Sequence, residues 1–338
     1  MRFRRLGGVV AALVSAMLLA GLAAPAEAIV GGTRANDIKA GEGTIEYAIP
    51  HNGYDHWATC AAQAIGSDGN GETDLLITAA QCVTVMPGQT KAKSAADTAR
   101  LAAFRHAAER SGTGTGTAAP DAARSAREQL KSTPENPSEF RYVYGSTNRF
   151  AGKSVGIKKW VIPKDWNWGV PDARGRIWDL ALVQLAHPIK VRGAVVAPLM
   201  RWKPITILGW GFTDPRPETW TGPLGPWLNQ NTVHTTARSQ CAAGGIGTNE
   251  ACFGVAADGG STCKGDAGGG SVQLLGSRWV LTAIASRGIE NRCGTPNIYT
   301  EIWKYGAWII RQIRDLAPQL RVQTDKAGTA QTDFALAG

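Results

Sequence analysis

Short, mainly apolar runs with the character of strands make up most of the chain beyond residue 28. They are rich in β-branched and aromatic residues and are bounded by Gly, Pro, Asn or Asp. Examples are DLLITAA, FRYVYGS, SVGIKKWVI, DLALVQL, ITILGWG and RWVLTAIAS. Because many short strands at this spacing are typical of closed or stacked sheets, the pattern predicts an all-β sandwich or barrel.

One segment near the C-terminus has a helical pattern instead. In IWKYGAWIIRQIRDL the apolar side chains recur every three or four residues, as on one face of a helix. They are Ile302, Tyr305, Ile309, Ile310 and Ile313. The residues that follow, 317–338, are mostly small or polar, and we predict a disordered tail there.

Residues 89–133 interrupt the strand pattern. The stretches KSAADTARLAAFRHAAER and DAARSAREQLK favour helices, and SGTGTGTAAP between them is typical of a flexible connector. We favour a loosely ordered surface insertion. The alternative is a helical hairpin that binds a partner or covers a cleft.

The first residues, 1–28, have the organisation of a secretory signal peptide. Arginines at positions 2, 4 and 5 precede an apolar run, and Ala26-Glu27-Ala28 fits the small-x-small cleavage rule. We predict cleavage after Ala28 and a secreted, extracellular protein. The sequence does not decide which export route the chain takes. A membrane anchor is disfavoured because a span needs about 20 strongly apolar residues, and this run is diluted by Gly and Ala.

Charge and cysteine content narrow the class further. The formal net charge is +9, but the basic residues are scattered without a block of five or more. A soluble basic surface is therefore favoured over nucleic-acid binding, while contact with an anionic cell envelope stays an alternative. Six cysteines, all after the signal, predict three disulfides in an oxidising compartment, with a connectivity that spacing leaves open. No cofactor, metal or membrane span is predicted.

Five motifs in order carry a family resemblance. They are IVGGT at Ile29, LITAAQC at Leu76, DLALVQL at Asp179, GWG at Gly209 and STCKGDAGGG at Ser261. Together they resemble the trypsin/chymotrypsin family of serine peptidases over residues 29–316, apart from the insertion. The resemblance implies a chymotrypsin-like pair of six-stranded antiparallel β-barrels with a cleft between them, and a C-terminal helix packed on the second barrel.

The resemblance also implies one disulfide connectivity. It pairs Cys60 with Cys82, Cys241 with Cys252, and Cys263 with Cys293.

The catalytic positions of the family are degenerate in this sequence. The resemblance puts Gln81 where the histidine belongs and Ala267 where the serine belongs, and only the aspartate remains, as Asp179. A carboxamide has no pKa near 7 and a methyl group has no lone pair, so general base and nucleophile are both missing. None of the histidines, at 51, 56, 106, 187 and 234, falls in a motif that would replace the lost base.

Other parts of the family's site are implied to persist. The backbone N–H groups of Gly265 and Ala267 correspond to the oxyanion hole. Asp266 resembles the buried aspartate that pairs with a freed N-terminal ammonium, which cleavage after Ala28 would place on Ile29.

The primary pocket differs from the family pattern. Ser261 would give it an uncharged floor, and Arg287 stands at the usual aromatic position. Asn297 replaces a glycine of the wall and should narrow or fill the pocket, whereas Gly288 is kept.

Gln81 has a structural interpretation as well. Without the imidazole, Asp179 would be a buried carboxylate lacking its donor, which is unfavourable. A glutamine amide can donate an N–H without acid–base chemistry. We therefore hypothesise a hydrogen bond between Gln81 and Asp179.

The favoured function is a non-catalytic secreted homologue that binds or regulates an extracellular protein or peptide. The alternatives are a serine endopeptidase with non-standard catalysis, and a module that binds the cell envelope or a polysaccharide. Four tryptophans in predicted loops could stack on a glycan or peptide, although local packing is favoured for each. They are Trp166, Trp168, Trp220 and Trp227.

Overall fold

The computed structural model describes residues 29–85, 133–321, 323–326 and 329–333, and only the backbone of the last two ranges. The predicted signal peptide, 1–28, lies outside the described residues, as does the insertion 89–133 apart from Thr133. The strands of the described residues follow in chain order. They are β1 (Thr33–Arg34), β2 (Glu42–Tyr47), β3 (Ala58–Ala64), β4 (Thr73–Thr78), β5 (Thr84–Val85), β6 (Thr133–Pro134), β7 (Phe140–Tyr144), β8 (Lys153–Val161), β9 (Ala181–Ile189), β10 (Ile205–Gly209), β11 (Asn229–Val233), β12 (Glu250–Phe253), β13 (Gly270–Leu275), β14 (Arg278–Gly288), β15 (Asn297–Glu301), β16 (Gln323–Lys326) and β17 (Thr329–Asp333).

Six strands of the first half close into an antiparallel barrel in the order β2-β3-β4-β9-β8-β7. Alternation is clear in β8, where Val155 and Ile157 are buried while Lys158 and Lys159 are exposed. Every residue of β4 is buried. The sequence patterns of this half therefore formed strands whose apolar faces enclose one core, as strand geometry requires.

The second half forms a seven-stranded sheet in the order β1-β11-β10-β13-β14-β15-β12. Strand β12 at one edge meets the residues just after β11 through a bridge between Thr235 and Phe253. The N–H of Thr236 also donates to the carbonyl of Cys252 at 2.9 Å. The second sheet thus closes in the same way as the first, with β1 added beside β11. The predicted chymotrypsin-like double barrel is confirmed.

The predicted helix is present as α1 (Gly306–Leu316), preceded by a 3₁₀ turn over Ile302–Tyr305. Its buried residues Ile309 and Ile313 join the large cluster that contains the core of the first barrel and part of the second sheet. Gln184 of β9 donates to the carbonyl of Leu316 at 3.1 Å. The helix therefore packs against the first barrel, which corrects the placement that the resemblance implied. No helix among the described residues is both long and apolar enough to cross a membrane.

The prediction that residues 317–338 form a disordered tail is wrong for the first residues of that range. Ala317 and Leu320 are 0% and 4% exposed and belong to the same core as α1. Arg321 and Ser67 exchange two backbone hydrogen bonds of 2.9 Å, and β16 pairs with β17 farther on. The polar composition of the segment gave no sign that Ala317 and Leu320 are buried, and their burial orders this stretch.

All three disulfides join the cysteines that the resemblance paired. They are Cys60–Cys82, Cys241–Cys252 and Cys263–Cys293. The first ties β3 to the turn that follows β4. Strands β5 and β6 pair just beyond that turn, so residues 84–85 and 133–134 lie side by side close to it.

The Leu320 anchor can be tested by truncating its side chain. Leu320→Ala should lower the free energy of unfolding by about 2–4 kcal/mol, because it leaves a cavity in the core. Gln319→Ala, at an exposed neighbouring position, should change it by less than about 0.5 kcal/mol. Urea denaturation of both variants measures the difference, and equal small effects would refute the packed tail.

Candidate active-site cleft

A cleft of about 320 Å³ is lined by residues of both barrels. The first barrel contributes Thr59, Cys60 and Gln81. The second barrel contributes Trp220, residues 262–267, residues 285–288, residues 290–293 and Asn297. Gln81 and Ala267, two of the positions that the resemblance assigned to the catalytic site, therefore face one cavity. Asp179 lies behind it, 1% exposed.

Gln81 sits in a 3₁₀ turn, Ala80–Cys82, that is fixed at both ends. The buried strand β4 precedes the turn, and the disulfide of Cys82 holds its end to β3. The backbone N–H of Gln81 donates to Asp179 Oδ1 at 3.0 Å, and its side-chain Nε2 donates to Asp179 Oδ2 at 2.9 Å. The hypothesis of a Gln81–Asp179 hydrogen bond is confirmed. The same Nε2 also donates to the carbonyl of Ser286.

Asp179 gains a further donor from the second barrel. Ser286 Oγ donates to its Oδ2 at 2.6 Å. Burial nevertheless raises the pKa of Asp179 above its ordinary value, because desolvation outweighs the Ser286 and Gln81 hydrogen bonds that stabilise the carboxylate. The aspartate is thus held by hydrogen bonds from two barrels rather than by a charged imidazole.

Arg287 does not reach into the pocket as its assignment there implied. The residue lines the cleft, but its guanidinium turns into the protein and its side chain is only 9% exposed. It pairs with the fully buried Glu250 through two bonds of 2.6 and 2.8 Å. The other N–H groups donate to the carbonyls of Gly244 and Gly245 and to Ser286 Oγ. Every donor of the guanidinium is therefore used within the protein.

Sequence reasoning missed Glu250 altogether. The signal available was a lone acidic residue in the otherwise apolar strand EACF, two residues before Cys252. A buried carboxylate requires a partner, and Arg287 is its complement.

The remaining pocket residues lie together. Ser261 is buried beneath the lining residues, accepting from the N–H of Gly294 at 2.9 Å and donating to the carbonyl of Thr262 at 3.3 Å. Asn297 Nδ2 lies 3.5 Å from the point where a Cβ on Gly288 would sit. Both Asn297 and Gly288 line the cleft. The amide of Asn297 therefore occupies space beside Gly288, which agrees with a narrowed pocket above an uncharged floor.

The loop that resembles the oxyanion hole has free donors. The N–H groups of Gly265 and Ala267 find no acceptor in the described part of the chain, and both residues line the cleft. Gly265 has φ +96°, and a Cβ there would lie 2.6 Å from Leu224, so only glycine fits. Buried or half-buried N–H groups without partners are uncommon, which marks this loop as a place for a ligand oxygen.

Asp266 and Ile29 are both fully buried, but no ion pair joins them in the uncut chain. Asp266 accepts from the N–H groups of Gly211 and Cys263 at 2.7 and 2.8 Å. No cationic side chain of the described residues pairs with it, and burial raises its pKa to about 7. Ile29 is 0% exposed with φ +69°, a strained conformation for a β-branched residue. The ion pair stays a prediction for a chain that begins at Ile29.

Local packing accounts for most of the loop tryptophans. Trp166 and Trp168 are 6% and 9% exposed and contact each other, which removes them as stacking surfaces. The ring of Trp227 is covered by the guanidinium of Arg34 at 2.9 Å. Only Trp220 lines the cleft. None of the histidines in the described residues lines it, and His106 lies outside that part of the chain.

Comparison with known proteins agrees with this geometry. The Trypsin family profile matches residues 135–309, half of the chain. The chain is 32% identical over 117 residues to the CLIP domain-containing serine protease B14 of Anopheles gambiae, covering 32% of this chain and 30% of that protein. It is 28% identical over 161 residues to the vitamin K-dependent protein C of Oryctolagus cuniculus, covering 42% of this chain and 35% of that protein. It is 29% identical over 157 residues to the protein C activator of Agkistrodon contortrix contortrix, covering 44% of this chain and 65% of that protein.

The chain belongs to the trypsin family of serine peptidases. It spans about a third of the length of the first two relatives, 30% and 35%.

The state of Asp266 predicts a pH dependence that separates two forms of the chain. With residues still attached before Ile29, Asp266 keeps its proton up to a pKa of about 7 when folded and loses it near 3.8 when unfolded. The unfolded state binds fewer protons in this window, so stability should fall as pH rises from 4 to 7, by up to about 4 kcal/mol. A chain beginning at Ile29 should lack this slope, because its ammonium pairs with the carboxylate.

Thermal unfolding of the two forms between pH 4 and 8 measures this difference. Asp266→Asn in the extended form is the control and should flatten the slope. Parallel pH profiles for the extended form and the Ile29 form would contradict the predicted ion pair.

The Arg287–Glu250 pair makes a second prediction. Arg287→Met leaves Glu250 buried without its charged partner, with only the N–H of Gly247 still donating to it, and should cost about 3–5 kcal/mol of stability. Adding Glu250→Met should recover most of that loss, since the charge is then removed. Arg292→Met breaks the exposed pair with Glu290 and should cost less than about 1 kcal/mol. Urea denaturation checks all three, and a double variant as unstable as Arg287→Met alone would argue against the pairing.

Proposed function

We propose that the protein is an exported, catalytically inactive homologue of trypsin-like peptidases that binds an extracellular protein or peptide segment in its cleft. The observation that carries the proposal is which residues occupy the family's catalytic positions. The base position holds Gln81 and the nucleophile position holds Ala267, while the cleft around them is kept.

The hydrogen bonds of Gln81 support the loss of base chemistry. Its Nε2 donates to Asp179 and to the carbonyl of Ser286, and a carboxamide neither accepts nor releases a proton near pH 7. With no hydroxyl at Ala267, no acyl-enzyme can form there. The arrangement stabilises the fold without supporting a proton relay.

Retention of the rest of the cleft supports binding. The N–H groups of Gly265 and Ala267 find no acceptor among the described residues, and Trp220 lines the cleft. A cavity with a few convergent polar groups is the usual form of a ligand site. Export rests on the sequence of residues 1–28 and on the three disulfides, which persist in oxidising compartments.

Catalytic inactivity is tested with the chain that begins at Ile29. It should neither hydrolyse casein nor react with a fluorophosphonate at the cleft. The double variant Gln81→His with Ala267→Ser restores base and nucleophile and should react, whereas each single variant lacks one group and should react far more slowly.

Stoichiometric labelling at the cleft of the unaltered chain, or sustained casein hydrolysis, would overturn the proposal in favour of a peptidase with non-standard catalysis. Sedimentation with cell-wall material that is lost at moderate salt, without any peptide binding, would instead favour envelope attachment through the basic surface.

A further inference from the structure

The loop of residues 263–267 has a defined shape in a chain that still carries residues before Ile29. Asp266 at its centre accepts from two backbone N–H groups and has no cationic partner among the described residues, so no ion pair accounts for that shape. We infer that Arg149, a residue of the first barrel, holds this loop in place, so that the cleft is formed whether or not the chain begins at Ile29. Such a role goes beyond the proposed function, because it concerns how the cleft is formed rather than what it binds.

Gly265 lies against a single side chain of a neighbouring segment. A Cβ on Gly265 would lie 2.6 and 2.7 Å from the two methyl carbons of Leu224, and 3.1 Å from the Cα of Gly211. Leu224 is 5% exposed. Because the glycine and the leucine are in close contact, the position of the loop depends on where Leu224 lies.

Arg149 holds Leu224 and the two residues after it through their carbonyl groups. Its Nη2 donates to the carbonyl of Leu224, and its Nε donates to the carbonyl of Gly225 at 2.9 Å. Its backbone N–H donates to the carbonyl of Pro226 at 2.9 Å. Residues 221–226 form no helix or strand of their own. One residue of the first barrel thus binds three consecutive carbonyls of an irregular segment of the second.

The side chain of Arg149 is anchored in the interior of the first barrel. Arg149 is 1% exposed, and its Nη1 donates to Glu46 Oε1 at 2.7 Å and to the carbonyl of His56 at 2.9 Å. Glu46 is 0% exposed and belongs to β2. A guanidinium holds its donors in one rigid plane, so the bond to Glu46 sets the direction of the N–H groups that reach the carbonyls. The contacts run without a break from Glu46 through Arg149 and Leu224 to Gly265.

Arg141 provides a matched control, since it contacts the same carboxylate. Its Nη2 donates to Glu46 Oε2 at 3.2 Å and to the carbonyl of Asp55 at 2.7 Å. Within the part of the chain that the structure describes, Arg141 makes no hydrogen bond to residues 224–226. Removing its guanidinium therefore takes a cation from Glu46 and leaves the bonds to the three carbonyls in place.

The test measures the mobility of the loop in the extended form and in the Ile29 form. Backbone ¹⁵N order parameters of Gly265 and Ala267 are about 0.85 for a rigid loop and below about 0.6 for a flexible one. Both forms of the unaltered protein should be rigid. In Arg149→Met the extended form should fall below about 0.6, whereas the Ile29 form should stay rigid because its ammonium pairs with Asp266. Arg141→Met should leave both forms rigid.

Leu224→Ala tests the last contact and decides the matter if Arg149→Met does not fold. It keeps the hydrogen bonds of Arg149 but removes the side chain that touches Gly265. In its extended form the order parameters of Gly265 and Ala267 should again fall below about 0.6, while that of Gly225 should stay at about 0.85.

Three results would overturn the role of Arg149. They are a rigid loop in the extended form of either variant, an Arg141→Met loop as flexible as that of Arg149→Met, and a loop that is already flexible in the extended form of the unaltered protein. Loss of order in both forms of Arg149→Met would support the role of Arg149 and count against the predicted ion pair at Ile29.

Discussion

The buried carboxylate of Asp179 is the constraint around which the cleft is organised. An ionisable group at 1% exposure must be satisfied by hydrogen bonds, since water cannot reach it. Its donors come from Gln81 on the first barrel and Ser286 on the second. The aspartate therefore joins the two barrels at the base of the cleft, and Gln81 supplies the hydrogen bonds from the first barrel.

Glutamine fulfils that requirement in a way that aliphatic residues cannot. It supplies a side-chain donor to Asp179 while its backbone N–H supplies another. Behind Ser286, the guanidinium of Arg287 donates to its Oγ and is itself neutralised by Glu250. The chain of hydrogen bonds runs from Gln81 through Asp179, Ser286 and Arg287 to Glu250, and it contains no imidazole. The polar groups at the base of the cleft are thus satisfied by one another.

The architecture and much of this site follow from the sequence because they rest on local pattern and on an ordered set of motifs. Short runs of β-branched and aromatic residues between turn residues predicted the sheets, and a buried carboxylate lacking its donor predicted the Gln81–Asp179 hydrogen bond. The direction of the Arg287 side chain did not follow, because it depends on Glu250, which lies in another strand and in no motif. The burial of Leu320 was not predicted for a related reason. Composition averages over the whole polar segment, whereas the burial of one leucine decides whether that segment is ordered.

The account depends on Gln81 and Asp179 being energetically coupled, which a double-mutant cycle measures directly. Unfolding free energies are determined for the unaltered chain, Gln81→Met, Asp179→Ala and the double variant, all beginning at Ile29. A hydrogen bond to a buried carboxylate predicts a coupling energy of about 1.5–3 kcal/mol. A coupling energy below about 0.5 kcal/mol would show that glutamine does not hold the aspartate, and would contradict the account.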